Sequence, residues 1–130
     1  MATTLFRGPV LQGKWNRAGV TGYNLEQKDS AYSVQTSDLG KSFTSKSGDI
    51  TFTLHTHGTG YTYTFTNTGE DASNEISITA AGAGEMSFAG STGITLTNTK
   101  ATSKVGDFVT LHSIGSVWAL MNIQGTWALS

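Results

Sequence analysis

A chain of 130 residues is long enough to form one domain with its own hydrophobic core. Only 13% of its residues are charged, its net charge is −1 and its pI is about 6.2, which excludes the basic surface that binds nucleic acid or an anionic membrane. The chain has no cysteine, and this excludes disulfides, thiolate catalysis and zinc sites built on sulfur.

Threonine and glycine are abundant in this chain, which has 21 threonines, 16 glycines and one proline. β-Branched residues favour strands and glycine favours tight turns, so the composition predicts an all-β protein. The N-terminal sequence lacks the basic start and the apolar run of a signal peptide, and no stretch approaches the roughly 20 apolar residues of a membrane helix. These features predict a protein that is made and assembled in a cytoplasm without membrane export.

Residues 1–29 differ from the rest of the chain. They contain the single proline and four glycines, and they show neither strand nor helical periodicity for long. They are nevertheless too apolar for a disordered tail. We therefore expect an extended N-terminal arm that binds another protein surface, with the alternative that it folds back as an edge strand or clamps a neighbouring subunit. The residues predicted to make the contact are Leu5, Phe6, Arg7, Pro9, Val10, Leu11 and Trp15.

Residues 30–130 form a series of short predicted strands. The first two, in AYSVQT and KSFTS, flank the turn SDLG, and DITFTLHT and YTYTFT flank the turn HGTG, which predicts a β-hairpin. Turn signals recur about every ten residues, which is typical of an all-β sandwich or barrel. The later predicted strands are EISIT, EMSFA, GITLTNT, GDFVTLHS and VWALMNI.

Threonines alternate with apolar residues in both strands of the predicted hairpin. Because successive side chains of a strand point to opposite faces, Thr51, Thr53, Thr62, Thr64 and Thr66 lie away from the apolar side. The simplest interpretation is that they form the solvated face of a sheet. The alternative is a neutral, hydrogen-bonding surface that contacts a protein or a glycan.

Two histidines in the same stretch are the candidate metal ligands. His55 and His57 are two residues apart, so both rings leave one face of an extended strand, but no carboxylate or further histidine lies nearby in sequence. We therefore favour a structural or surface role, and we expect neither a metal nor another cofactor. The chain has no G-x-S-x-G elbow and no spacing that selects a pair of catalytic carboxylates, so we do not expect an enzyme.

Five stretches within residues 31–128 carry a group of turn and strand motifs, and these stretches are SDLGKSFTS, GDITFTL, GYTYTFTNTG, NEISITAAG and GDFVTLHSIGSVWALMNIQGTW. Their D-x-G-K turn before a strand, their V-x-L…W strand pair and their final G-T-W resemble the head decoration (cement) proteins of tailed bacteriophages. Related modules end phage tail fibres and spikes. The family often has proline where this chain has His55, so the resemblance assigns no role to that residue.

The resemblance implies a jelly-roll-like β-sandwich, residues 30–130, preceded by the arm, residues 1–29. It also implies a homotrimer that binds the major capsid protein on the outer surface of the virion and stabilises the mature head. The alternative is a trimeric tail fibre or spike tip that binds a host receptor or glycan, for which Tyr61, Tyr63 and the loop 69–75 are the candidate contacts.

Overall fold

The computed structural model describes residues 25–45 and 48–130, and these form two mixed β-sheets that pack on each other in a sandwich-like arrangement. The predicted all-β class and the sandwich are thereby confirmed. The described part also contains two 3₁₀ turns, Thr36–Asp38 and Lys100–Thr102. None of its helices is long and apolar enough to cross a membrane.

One sheet has seven strands, in the order β1-β3-β5-β10-β11-β7-β8. These strands are β1 (Leu25–Lys28), β3 (Ser42–Ser45), β5 (Thr59–Thr66), β7 (Met86–Phe88), β8 (Ser91–Gly93), β10 (Phe108–Ile114) and β11 (Trp118–Gln124). The other sheet has five strands, in the order β12-β9-β6-β4-β2. Its strands are β2 (Tyr32–Ser33), β4 (Ile50–Thr53), β6 (Ile76–Thr79), β9 (Thr95–Asn98) and β12 (Ala128–Leu129).

From β1 to β6 the chain changes sheet after every strand. The odd-numbered strands therefore lie side by side in the seven-stranded sheet, and the even-numbered strands lie side by side in the other. A chain that crosses the core twice returns to its first sheet in the same direction, so these neighbours pair in parallel. The later strands β9 and β10 add to β6 and β5 in antiparallel pairs.

The prediction of a β-hairpin around the turn HGTG is wrong. β4 pairs with β6 in one sheet, whereas β5 pairs with β10 and β3 in the other. The five residues between β4 and β5 instead cross the roughly 10 Å that separates packed sheets. Both strands have an apolar face that is buried, and this pattern is the same whether two strands are neighbours in one sheet or face each other across a core.

Strand direction distinguishes this sandwich from the antiparallel architecture of a jelly roll. Among the described strands, five of the ten hydrogen-bonded pairs are parallel. The two architectures share the packing of two sheets around one core. They differ in how the chain connects those sheets.

Aromatic rings from both sheets fill the centre of the core. Phe52 of the five-stranded sheet lies 5.5 Å from Phe43 and 5.0 Å from Phe65, both of the seven-stranded sheet, measured between ring centroids. Tyr63 and Trp118 continue this cluster, with ring centroids 5.7 Å apart. All five side chains are fully buried. The two sheets are therefore joined by direct ring contacts.

A buried polar network closes one end of the sandwich. The side-chain amide of Asn67 donates to Asn98 Oδ1 at 2.8 Å, and the amide of Asn98 donates to Asp107 Oδ2 at 2.9 Å. The same carboxylate oxygen accepts the backbone N–H of Lys104 at 2.9 Å. Gly125, of the final G-T-W motif, packs against this carboxylate. The network therefore connects the end of β5, the end of β9 and the start of β10 with the turn at Gly125.

The sheet begins earlier in the chain than the predicted boundary at residue 30. Leu25–Lys28 form β1, which pairs with β3 at the edge of the seven-stranded sheet, so the last residues of the predicted arm 1–29 belong to the sandwich. We refer to residues 1–24 below as the arm segment. It lies outside the described part of the chain.

Candidate functional site

The residues predicted to bind a partner all fall in the arm segment and so lie outside the described residues: Leu5, Phe6, Arg7, Pro9, Val10, Leu11 and Trp15. The structure does describe the point at which that segment enters the sandwich. We call this place the arm junction. It consists of β1 and the side chains that hold it, namely Glu26, Lys28, Tyr32, Asp38 and Lys41.

An ion pair between Glu26 and Lys41 reinforces the attachment of β1 to the sheet. β1 pairs in parallel with β3 from Leu25 opposite Ser42 onward. Lys41, directly before β3, donates to Glu26 Oε2 at 2.8 Å, and the second carboxylate oxygen of Glu26 lies 2.9 Å from Lys28 Nζ. The hydrogen bonds of Lys41, and then those of Lys28, lower the pKa of Glu26. This four-residue edge strand is thus held by its backbone pairing with β3 and by the ion pair of Glu26 with Lys41, whereas the pair of Glu26 with Lys28 lies within β1.

Asp38 fixes the other side of the Lys41 ammonium. Its buried carboxylate lies 2.9 Å from Lys41 Nζ and accepts hydrogen bonds from the Tyr32 hydroxyl at 2.8 Å and from the backbone N–H of Gln35 at 2.9 Å. Burial by itself raises the pKa of Asp38, but these three donors outweigh burial and the pKa is lowered. The D-x-G-K motif therefore forms a turn that is closed by the ion pair of Asp38 with Lys41. Gly40, within this turn, has the left-handed φ of +78°.

The roles of Glu26, Asp38 and Lys41 were not predicted from the sequence. The D-x-G-K pattern was a signal for Asp38 and Lys41, because both ends of a tight turn face one another. No sequence signal connected Glu26 to Lys41, since 15 residues separate them and only the parallel pairing of β1 with β3 brings them together.

The carboxylates of the arm junction should make the free energy of unfolding fall in acid. Folding lowers the pKa values of Asp38 and Glu26. These two carboxylates therefore contribute to the free energy of unfolding at pH values above their unfolded pKa values, which are near 4. The contribution is lost as the pH falls through their lower folded pKa values. Asp38→Asn should lower the free energy of unfolding at pH 7 by about 2 kcal/mol, since it removes a charged hydrogen-bond acceptor. We expect the variant to lose less stability than the wild type between pH 5 and pH 2.5, measured by urea unfolding. Parallel pH curves for the two proteins would contradict this role of Asp38.

On the outer faces of both sheets, the strands that the structure describes carry hydroxyl groups and no charged side chain. Thr51 and Thr53 lie on the outer face of the five-stranded sheet, whereas Thr62, Thr64 and Thr66 lie on the outer face of the seven-stranded sheet. The threonines of residues 51–66 therefore form two surfaces on opposite sides of the molecule, because β4 and β5 belong to different sheets.

His55 has a packing role in the structure. Its ring makes edge contacts with Tyr61 and Trp118, at centroid distances of 4.6 and 5.3 Å. Its Nδ1 lies 2.7 Å from the carbonyl oxygen of Thr56 and its Nε2 lies 2.7 Å from the hydroxyl of Tyr63. Both ring nitrogens are thus engaged within the protein, so His55 would have to give up a hydrogen bond to bind a metal.

The second candidate ligand, His57, is partly buried, and its Nδ1 has no hydrogen-bond partner among the described residues. Within the same residues, no three histidine or carboxylate side chains are grouped in a way that would hold a metal ion. The two histidines therefore have different surroundings, although the sequence places them on one face of a strand.

The aromatic candidates for a glycan surface are largely inside the protein. Tyr63 is fully buried, and burial raises its pKa to about 12, so its hydroxyl remains protonated and donates to the carbonyl of Gln35 at 3.1 Å. Tyr61 is partly buried against the core. In the loop 69–75, Glu70 and Asp71 are exposed, whereas Asn74 is buried. The structure therefore excludes Tyr63 from a surface contact.

No protein-family model matches this chain, and no curated protein matches it either.

Proposed function

We propose that this chain is a capsid decoration protein of a tailed bacteriophage. It assembles as a homotrimer of β-sandwiches, binds the major capsid protein on the outer surface of the virion, and stabilises the mature head. The role is mechanical and needs no cofactor. The resemblance of residues 31–128 to phage cement proteins supports the proposal at the level of sequence.

The arm junction is the structural observation that carries the proposal. The apolar arm segment continues directly into β1, and β1 is held by parallel pairing with β3 and by the ion pair of Glu26 with Lys41. A force applied through the arm segment would therefore act on an edge strand that is fixed to the sandwich. This is the arrangement expected of a body that is anchored to another surface by its N-terminal residues.

Stabilisation of the head follows from selective binding. A protein that binds only the assembled shell lowers the free energy of that state by mass action. Each arm loses conformational entropy when it becomes ordered on the capsid, so a single arm binds weakly. Three arms on one trimer restore affinity, because after the first arm has bound, the others bind at a high effective concentration.

Deletion of residues 1–22 should strongly weaken binding to the capsid. The truncated protein retains β1 and the whole arm junction, so we expect it to fold and to unfold at nearly the same temperature as the full chain. It should lose at least tenfold in affinity for undecorated capsids of the phage that encodes it, because the apolar contacts are gone. The measurement is co-sedimentation with capsids, together with the thermal unfolding of the free protein.

The full-length double variant Phe6→Ser and Trp15→Ser is the matched control, since it keeps the length of the arm and removes two large apolar side chains. It should bind as weakly as the truncated protein. If the truncated protein still decorates capsids at full occupancy, the arm is not the anchor. If the full chain does not bind capsids at all, the proposed function is wrong.

A further inference from the structure

We propose that the outer face of the seven-stranded sheet is an interface between copies of this chain. The inference rests on the proposed function, because it identifies the surface through which the trimer forms. The centre of this face consists of Thr62, Thr64 and Thr66 on β5 and of Phe108, Thr110 and His112 on β10. We call these six residues the central patch.

The placement of charge is the first argument. Every charged side chain of the described residues lies between strands or on the edge strand β1. On β1 the charged residues Glu26 and Lys28 alternate with Leu25 and Gln27, and it is the latter two that share the outer face with Ser42 and Thr44. Among the described strands, the face therefore has no charged position from one edge of the sheet to the other. An uncharged surface meets a second copy of itself without like-charge repulsion.

Hydrogen bonding within the central patch is the second argument. The hydroxyl oxygens of Thr64 and Thr110 lie 3.0 Å apart, and Thr62 Oγ1 lies 2.7 Å from His112 Nδ1. Covering a polar group costs free energy when its hydrogen bonds to water are lost without replacement. Here three of the four threonine hydroxyls already have a side-chain partner on the neighbouring strand. Their methyl groups and the ring of Phe108 are then available to pack against a neighbour.

The size of the face distinguishes it from the equally uncharged face on the other side of the sandwich. With about 3.3 Å per residue and about 4.8 Å between strands, the seven strands cover roughly 570 Å², and the five strands cover roughly 250 Å². Standard interfaces bury about 800 Å² of accessible surface on each partner. The accessible surface of a face covered with side chains exceeds its flat footprint, so the larger face has the size of a stable interface and the smaller one does not.

Exposed apolar residues near this face also support contact with a second copy of the chain. Leu25 at one edge is 59% exposed and Ile114, at the end of β10, is 54% exposed. A second copy, with an uncharged and weakly apolar surface of the same size, would cover both. In a closed trimer, three such faces surround the symmetry axis. Each face is then shared between two neighbours, because one part of it contacts a different part of the same face on the next copy.

A lysine in the central patch should separate the copies. Thr110 points outward between Thr64 and Asn122, so Thr110→Lys places a charge in the middle of the proposed interface without entering the core. Asn122→Lys is a second variant, at an exposed position of the same face. We expect light scattering to give about three times 13.7 kDa for the wild type and 13.7 kDa for each variant, with unchanged circular dichroism spectra.

Thr79→Lys is the matched control, because Thr79 lies on the outer face of the five-stranded sheet, in the middle strand β6. It should associate like the wild type. The inference is overturned if Thr110→Lys and Asn122→Lys still associate, if Thr79→Lys dissociates as they do, or if the wild type is a monomer at micromolar concentration.

The outcomes separate this inference from the proposed function. A wild-type trimer that dissociates through Thr110→Lys and yet ignores capsids supports the interface and contradicts the decoration role. If these substitutions leave the trimer intact and the trimer binds capsids, the result supports the decoration role and contradicts the interface.

Discussion

Replacement of Gly125 by alanine is expected to lower the free energy of unfolding by about 3 kcal/mol or more. Gly125 has a φ of +94°, a conformation that costs other residues about 1–3 kcal/mol. A Cβ atom at this position would also overlap the carboxylate of Asp107, which is 3% exposed. To make room, Asp107 would have to move away from Asn98 and from the backbone N–H of Lys104, and this would leave buried polar groups without partners.

Gly106→Ala separates the two causes. Gly106 has nearly the same φ, +92°, but an added Cβ would meet no atom within 4 Å. Its substitution should therefore cost only the backbone term, about 1–3 kcal/mol, and less than the substitution of Gly125. Urea unfolding of the wild type and of both variants measures the difference. Equal losses for the two variants would show that contact with Asp107 contributes nothing, and that the final G-T-W motif needs glycine for its backbone alone.

Replacement of Phe52 by alanine is expected to lower the free energy of unfolding by about 4 kcal/mol, as is usual for a buried phenylalanine. Phe52 is fully buried, and its ring contacts Phe43 and Phe65 of the opposite sheet. The substitution therefore removes contacts between the two sheets and leaves a cavity at the centre of the sandwich. A loss of this size would unfold a marginally stable domain.

Phe88→Ala is the corresponding control at the edge of the sheet. Phe88 is 39% exposed and lies in the short strand β7, next to the edge strand β8, so its truncation should cost less than about 1 kcal/mol. Thermal and urea unfolding should give the same order for the two variants. A small effect of Phe52→Ala would mean that the sheets are held together elsewhere than at this aromatic cluster.

The sequence predicted the strands of this protein well, because strand formation here depends on local signals. Period-two alternation marks which residues of β4, β5 and β10 face the core. Glycines mark the turns between strands, and several of them, including Gly40, Gly106 and Gly125, have the positive φ that a tight turn requires. All of this information lies within a few residues of the position that it describes.

The candidate site was predictable only in part. The apolar character of residues 1–24 is visible in the sequence, but the arm junction that ties them to the sandwich is not. Asp38 and Lys41 are three residues apart and belong to one turn, whereas Glu26 reaches Lys41 only because β1 lies beside β3. The sequence accordingly suggested a binding segment without indicating how it is attached to the body.

The pairing of strands was decided by the tertiary structure. The apolar face of a strand is buried in the core whether the next strand lies beside it in the same sheet or in the opposite sheet. The pattern around the turn HGTG was therefore compatible with a hairpin and with a crossover. The crossover places Phe52 against Phe65 across the core, and it sends Thr53 and Thr64 to opposite outer faces. By itself the sequence determined which side of each strand is apolar, since that property is local. Which strands become neighbours depends on contacts between distant residues, and these exist only once both sheets have formed.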